Sequence, residues 1–201
     1  MLQPQRSHHK TGATLYSPFV DDAKVFVLIT GYVFAYTYEC TGKKRIHLIY
    51  GPGAYFPVIT TFRDRPQRAT YEALTPVVTD VYLQKDFISN IQTDHQFCRN
   101  ILDKTVDQLA IFADRVIDLQ LTKLEDRLLL RLRVAARARG VHEGRFARLP
   151  YKLKHHHIAD MLGVERESVT RVLHVLRRRG ELSVDDAGHF LIPLESLESG
   201  D

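Results

Sequence analysis

The segment "HHHIADMLGVERESVTRVLHVLRRRGELSV", His155 to Val184, constrains the fold more than any other part of the chain. Ile158, Met161 and Leu162 give one short helix a buried side, and Gly163 is placed to turn the chain sharply, with Val164 plugging the corner. A second helix follows with Val169, Val172, Leu173 and Leu176 at i, i+3, i+4 and i+7, an inward stripe. Ala159 is small enough to let the two helices cross closely. The opposite face holds Arg166, Glu167, Thr170, Arg171 and His174. These are the requirements of a helix-turn-helix, whose second helix lies in the DNA major groove.

The outward side chains suit that task. Arginine binds guanine O6 and N7 with two parallel bonds, glutamate accepts from cytosine N4, and each good pair discriminates by about 1 to 3 kcal/mol. A glutamate among arginines otherwise only repels phosphate, so Glu167 is expected to read a base or to orient Arg171. Arg177, Arg178 and Arg179 close the helix, and "GELSVDDAGHFLIP" reads as two short strands around Asp185 to Gly188, a wing. From Lys123 to Glu181 there are fifteen Lys/Arg against seven Asp/Glu, a balance of +8, which leaves −4 for the rest of a chain of net charge +4. A solvated helical face would also carry such charge. A regional concentration beside a helix-turn-helix favours a polyanionic partner for this domain alone.

The remainder divides by composition. From Ala13 to about Leu83, runs such as "KVFVLITGYVFAYTY" alternate with turn signals at "TGKKR", "YGPGAYF" and "RDRPQR", predicting a small antiparallel barrel or sandwich. From about Asp94 to Leu119 there is no proline or glycine, and Leu102, Thr105, Leu109, Phe112, Val116 and Leu119 recur in steps of three and four, a heptad seam interrupted only by Thr105. The seam either packs on its own barrel or pairs with a second copy; its length, in a segment joining two domains, favours the dimer. "KLEDRLLLRLRVAARARG" is a further helix ending at Gly140, and "VHEGRFARLP" reads as a loop. The fold class is α+β, with a barrel over residues 1–93, a dimerisation helix over 94–120 and a winged helix-turn-helix over 121–201.

Other chemistry is thin. No apolar run approaches the roughly 18 to 20 residues of a membrane span, and "MLQPQRSHHK" lacks an apolar signal core, so a cytoplasmic protein with no membrane partner is expected. Cys40 and Cys98 are too few for a disulfide framework, a zinc knuckle or a cysteine-ligated cluster. His47 is a lone strand histidine, more often hydrogen-bonded than ligating. His155, His156 and His157 are consecutive on a helix and diverge by about 100° each, so they do not converge on one ion; they are read as lying near DNA. His8 and His9 are placed in a mobile terminus. A cupin-like metal enzyme with an accessory helical head is the alternative; it needs two or three inward histidines and a carboxylate, and the strands from Ala13 to Leu83 contain only His47. No metal or other cofactor is expected.

"IADMLGV" followed by "RESVTR" resembles the recognition motif of the cyclic-AMP receptor protein and fumarate–nitrate regulator family, the CRP/FNR transcription regulators. "GATLYSPFVDDAKVFVLITGYV", "GPGAYF" and "QRATYEAL" are similar to its barrel segments, so the resemblance covers nearly the whole chain and implies a cyclic-nucleotide-binding-like jelly roll. It implies that Arg166, Glu167 and Arg171 read bases, as in members that recognise TGTGA-type half-sites. Thr170, which joins them as a base-facing residue, sits where relatives have a small or hydroxyl residue. Lys154, His155, His174 and Arg178 are assigned to the DNA backbone. Glu165 stands where many relatives cap the helix with serine or threonine, a weaker cap. The implied partners are double-stranded DNA, a second copy of the chain and RNA polymerase.

The effector cassette departs from the pattern. The glutamate that holds the ribose in nucleotide-binding members aligns with Val58, Arg68 is retained, but the serine after it is Ala69, and the two adenine-contacting hydroxyl positions align with Phe112 and Ala113. Val58, Arg68 and Phe112 therefore mark a candidate effector pocket, and the lost polar contacts argue against cyclic AMP.

Overall fold

The computed structural model describes residues 3–18, 23–63, 68–118 and 121–198. It forms two compact units, Met1–Leu109 and Ala110–Asp201. The first contains β1 (Gln5–His9), β2 (Thr14–Tyr16), β3 (Lys24–Thr30), β4 (Val33–Tyr38), β5 (Lys44–Tyr50), β6 (Tyr55–Phe56), α1 (Val58–Phe62), β7 (Thr70–Ala73), β8 (Val77–Leu83) and α2 (Gln84–Thr93), followed by α3 (His95–Asp118), which runs on into the second. Its strands make two antiparallel four-stranded sheets, in the orders β1-β8-β3-β6 and β2-β7-β4-β5.

Stacked aromatics join those sheets. Phe56 of β6 lies 4.4 Å from Tyr71 of β7 with the rings 7° from parallel, and Phe26 of β3 stacks on the same Phe56 at 5.5 Å. Such rings bury large apolar areas and prefer offset or edge-on contacts. A second cluster, Val25, Tyr55, Phe87 and Ile101, packs α2 and the start of α3 onto the roll, with Val58 among its half-buried neighbours. The turn from β3 to β4 requires glycine: Gly31 has φ +86°, and a Cβ there would meet Pro76 O at 2.2 Å.

Two expectations are corrected here. The segment holding His8 and His9 is an ordered strand, paired along its length with β8 and fastened by Arg6, whose Nε and Nη2 donate to Asp80 at 2.8 and 3.0 Å. On the apolar stripe of α3, Thr105 gives way to its neighbour Val106, while Leu102, Leu109, Phe112 and Val116 face out as expected. Thr105 is turned to the roll, where its hydroxyl and that of Tyr55 lie 2.8 Å apart, and it donates to Ile101 O. Leu102, Val106, Leu109 and Val116 are the exposed apolar residues, 60, 56, 67 and 61% accessible, with Phe112 beside them. With the exposed Ala113, the stripe advances in steps of four and three without a break. Leu119 lies outside the described residues.

The second unit continues with α4 (Leu124–Arg139), β9 (Val141–Glu143), β10 (Phe146–Arg148), α5 (His155–Leu162), α6 (Arg166–Arg178), β11 (Ser183–Val184), β12 (Phe190–Pro193) and α7 (Glu195–Glu198). The hairpin β11–β12 forms where the Asp185 to Gly188 turn predicts it. "VHEGRFAR", read as a loop, is instead the hairpin β9–β10, and the sheet order is β11-β12-β10-β9. The wing is knitted by Asp185: Arg148 Nε donates to Oδ2 at 2.6 Å and the His189 N–H to Oδ1 at 2.8 Å. Arg148 also meets the His189 ring.

Those donors, the His189 amide first and Arg148 next, hold the Asp185 carboxyl well below the usual carboxylate range. A carboxylate depressed on folding adds stability above its unfolded value, near 3.9, and loses it as the pH falls through the folded one. An NMR titration is expected to place the Asp185 midpoint below about 3.9, with Arg148→Ala raising it; an ordinary midpoint in the native protein would contradict the network. Chemical denaturation of Gly31→Ala is expected to show the first unit destabilised by more than about 1 kcal/mol.

Candidate nucleic-acid interface

Helix α5 ends in a left-handed residue, Gly163, at φ 72° and ψ 34°, and the N–H groups of Gly163 and Val164 both return to Ala159 O, at 2.8 and 3.2 Å. This turn sends the chain directly into α6. Arg127 of α4 closes the corner from outside by donating Nη2 to Leu162 O at 2.9 Å. The inner stripe of α6 is sealed: Val169 is 0%, Leu173 1% and Leu176 1% exposed. Arg166, Glu167, Thr170, Arg171, His174 and Arg178 are all exposed, on the opposite face. Burial of one stripe therefore displays the residues singled out in the sequence, together on one ridge.

Details of the ridge differ from the sequence reading. Arg171 is steadied by Ser168, to which its Nη2 donates at 3.2 Å, and not by Glu167. Glu165 occupies the N-cap position of α6 without a side-chain cap bond, and Glu167 lies in the first turn, where a carboxylate suits the positive end of the helix dipole. Arg179 is engaged with Glu125 of α4 at 2.7 Å, which separates it from Arg177 and Arg178. Lys154, at the N-cap of α5, is exposed.

His155 bridges the two helices. Its Nδ1 lies 2.9 Å from Thr170 Oγ1, and the Thr170 hydroxyl is 3.1 Å from Arg166 O. Burial first, then the charges of Arg177 and Arg166, push the His155 pKa down, which favours the neutral ring. His155 thus parts from its neighbours, whereas the rings of His156 and His157 meet edge to face at 4.2 Å, closer than simple divergence along a helix implies.

The candidate effector residues have dispersed surroundings. Val58 packs against the Tyr55 and Phe87 cluster, Arg68 is exposed beside the buried Ala69, and Phe112 is an exposed residue of the second unit. His47 lies 2.7 Å from the Thr37 hydroxyl. Among the described residues no three His, Cys, Asp or Glu side chains are grouped to hold a metal ion.

Comparison with known proteins agrees with this architecture. A cyclic nucleotide-binding domain model matches residues 6–94 and a Crp-like helix-turn-helix domain model matches residues 127–198. The CRP-like cAMP-activated global transcriptional regulator of Mycobacterium tuberculosis is 22% identical over 187 residues, spanning 92% of this chain and 83% of that protein. FixK2 of Bradyrhizobium japonicum superposes with a TM-score of 0.79 at 21% identity, covering 100% of this chain and 98% of that one. A CRP/FNR-family regulator of Thermus thermophilus gives 0.73 at 20% identity, with 96% of each chain covered. With a nucleotide-binding-type roll and a Crp-like helix-turn-helix in this order on one polypeptide, the chain belongs to the CRP/FNR family of DNA-binding transcription regulators.

Proposed function

We propose that the protein binds DNA sequence-specifically as a homodimer, on a pseudo-palindromic site with TGTGA-like half-sites, and does so without cyclic AMP. The observation that carries this reading is the ridge on α6: Arg166, Glu167, Thr170 and Arg171 face solvent opposite the buried Val169, Leu173 and Leu176, with Val172 half-buried. Arg166 and Arg171 supply bidentate donors for guanine and Glu167 an acceptor for cytosine N4. Lys154, His155, His174 and Arg178 flank them and contact phosphates, which fix register without reading sequence. The basic region supplies a salt-sensitive attraction that brings the helix to the duplex.

Dimerisation is supported by the exposed stripe Leu102, Val106, Leu109 and Val116, whose four-and-three spacing matches a coiled-coil seam. Pairing along it sets two recognition helices about one turn of DNA apart. Independence from cyclic AMP rests on Val58 and Ala69 in place of polar ligands and on the aromatic filling of the roll around Phe56 and Tyr71. RNA polymerase is the further partner that family membership suggests, and the cytoplasm the place of action. No helix of the described residues is long and apolar enough to cross a membrane.

The test is a fluorescence-anisotropy titration of ligand-free protein, at about 0.15 M salt, against a palindromic TGTGA-type duplex and a scrambled one. The palindrome is expected to bind more tightly, with no change on adding cyclic AMP; equal affinities would contradict the reading. Arg171→Ala should remove about 1 to 3 kcal/mol of preference while sparing most non-specific binding. Leu109→Glu is expected to yield monomers in analytical ultracentrifugation and to weaken binding to the two-half-site duplex.

A further inference from the structure

We propose that Thr170 is a specificity residue that reads the 5-methyl group of a thymine, through its own methyl and not its hydroxyl. The inference rests on the reading of α6 as the base-contacting helix and adds which base edge the centre of that helix selects. A threonine hydroxyl has one proton and two lone pairs. Here Oγ1 lies 3.1 Å from Arg166 O, an oxygen that only accepts, so the proton goes there. The contact at 2.9 Å with His155 is then a donation from the ring's Nδ1–H into a lone pair of the same oxygen. The opposite assignment would set two oxygens against each other with no proton between them. The cationic ring and the neutral Nδ1–H tautomer both donate from Nδ1; in the neutral Nε2–H tautomer Nδ1 accepts the Thr170 proton instead, and in every form that proton stays inside the protein.

The consequence for recognition is specific. With its only proton spent inside the protein, the Thr170 hydroxyl has none to donate to a purine N7 or a carbonyl of a base. Threonine is branched at Cβ, so fixing Oγ1 also fixes χ1 and with it the methyl. Thr170 is exposed in the middle of the ridge, one helical turn after Arg166 and directly before Arg171; with the hydroxyl proton engaged, the methyl is the group left to it for contact with a base. In the major groove only thymine presents a methyl, at C5, and apolar contact with it is a recognised mode of readout. Thr170 would select thymine over cytosine at the step between the bases read by the two arginines.

The experiment uses the full chain and a duplex that the native protein binds selectively. Each thymine is replaced in turn, symmetrically in both half-sites, by deoxyuridine, which differs only in lacking the methyl. One position is expected to weaken binding about three- to five-fold per half-site, the factor expected for one buried methyl. Thr170→Ser keeps the hydroxyl and removes the methyl, and is expected to bind the thymine and deoxyuridine duplexes equally at that position. Thr170→Val keeps a methyl without the hydroxyl, and is expected to retain the difference. Circular dichroism of the variants confirms their folding. Selective binding with no sensitive thymine, or a sensitivity unchanged in Thr170→Ser, overturns the methyl contact alone. Absence of any selectively bound duplex overturns the base-reading assignment beneath it as well.

Discussion

The burial of Val169, Leu173 and Leu176 against α4 and α5 is the constraint on which the site depends. Each such side chain contributes roughly 1.5 to 3 kcal/mol on leaving water. A rotation of α6 that exposed any of them would forfeit that contribution, so the helix has one face it can show. That face is the one bearing Arg166, Glu167, Thr170 and Arg171, none of which the fold needs for its core. Gly163 makes the arrangement reachable, because its left-handed backbone lets α6 leave α5 after only three residues. Arg127 and Arg179 then tie both helices to α4 through a carbonyl and a carboxylate. Those two arginines, like Arg148 in the wing, serve the frame, whereas Arg166 and Arg171 stand exposed on the ridge.

The same division between frame and display recurs on α3. Thr105 and Ile101 turn toward the roll, one beside the Tyr55 hydroxyl and one within the aromatic cluster, and this contact decides which stripe of the helix faces out. What faces out is apolar, an arrangement that water penalises and that a second copy of the stripe would relieve. The roll itself is held by the stack of Phe56 on Tyr71 across its two sheets, with Phe26 stacked on Phe56 within one of them. Val58 and Ala69, at the positions where the family resemblance leads one to expect polar ligands, are apolar: Val58 packs on the Tyr55 cluster and Ala69 is buried.

Much of this was legible in the sequence. The helix-turn-helix was readable because a 3.6-residue period, a glycine and an arginine-rich opposite face all lie within some thirty residues. The wing turn was readable from Asp185 to Gly188 for the same reason. What was missed depends on partners far along the chain. Gln5–His9 alternates no apolar residues and becomes a strand only by pairing with β8, more than sixty residues later. Val141–Glu143 is the local exception: it pairs with Phe146–Arg148 close by, but it is exposed throughout and carries no strand signal of its own. That Val106 and not Thr105 faces out is set by Tyr55, fifty residues away, whereas steps of three and four alone fit either choice. The bond between Arg148 and Asp185 likewise joins positions that no local pattern connects.

The most direct measurement is a selection of duplexes from a random-sequence pool by the full-length, ligand-free protein, read out by sequencing, with a parallel selection by a variant carrying alanine at Arg166, Glu167 and Arg171. The native protein is predicted to enrich an inverted repeat whose half-sites are centred about 10 base pairs apart, and the variant to enrich none. A native pool that stays random, or the same repeat recovered by the variant, would contradict the assignment of base reading to the outer face of α6.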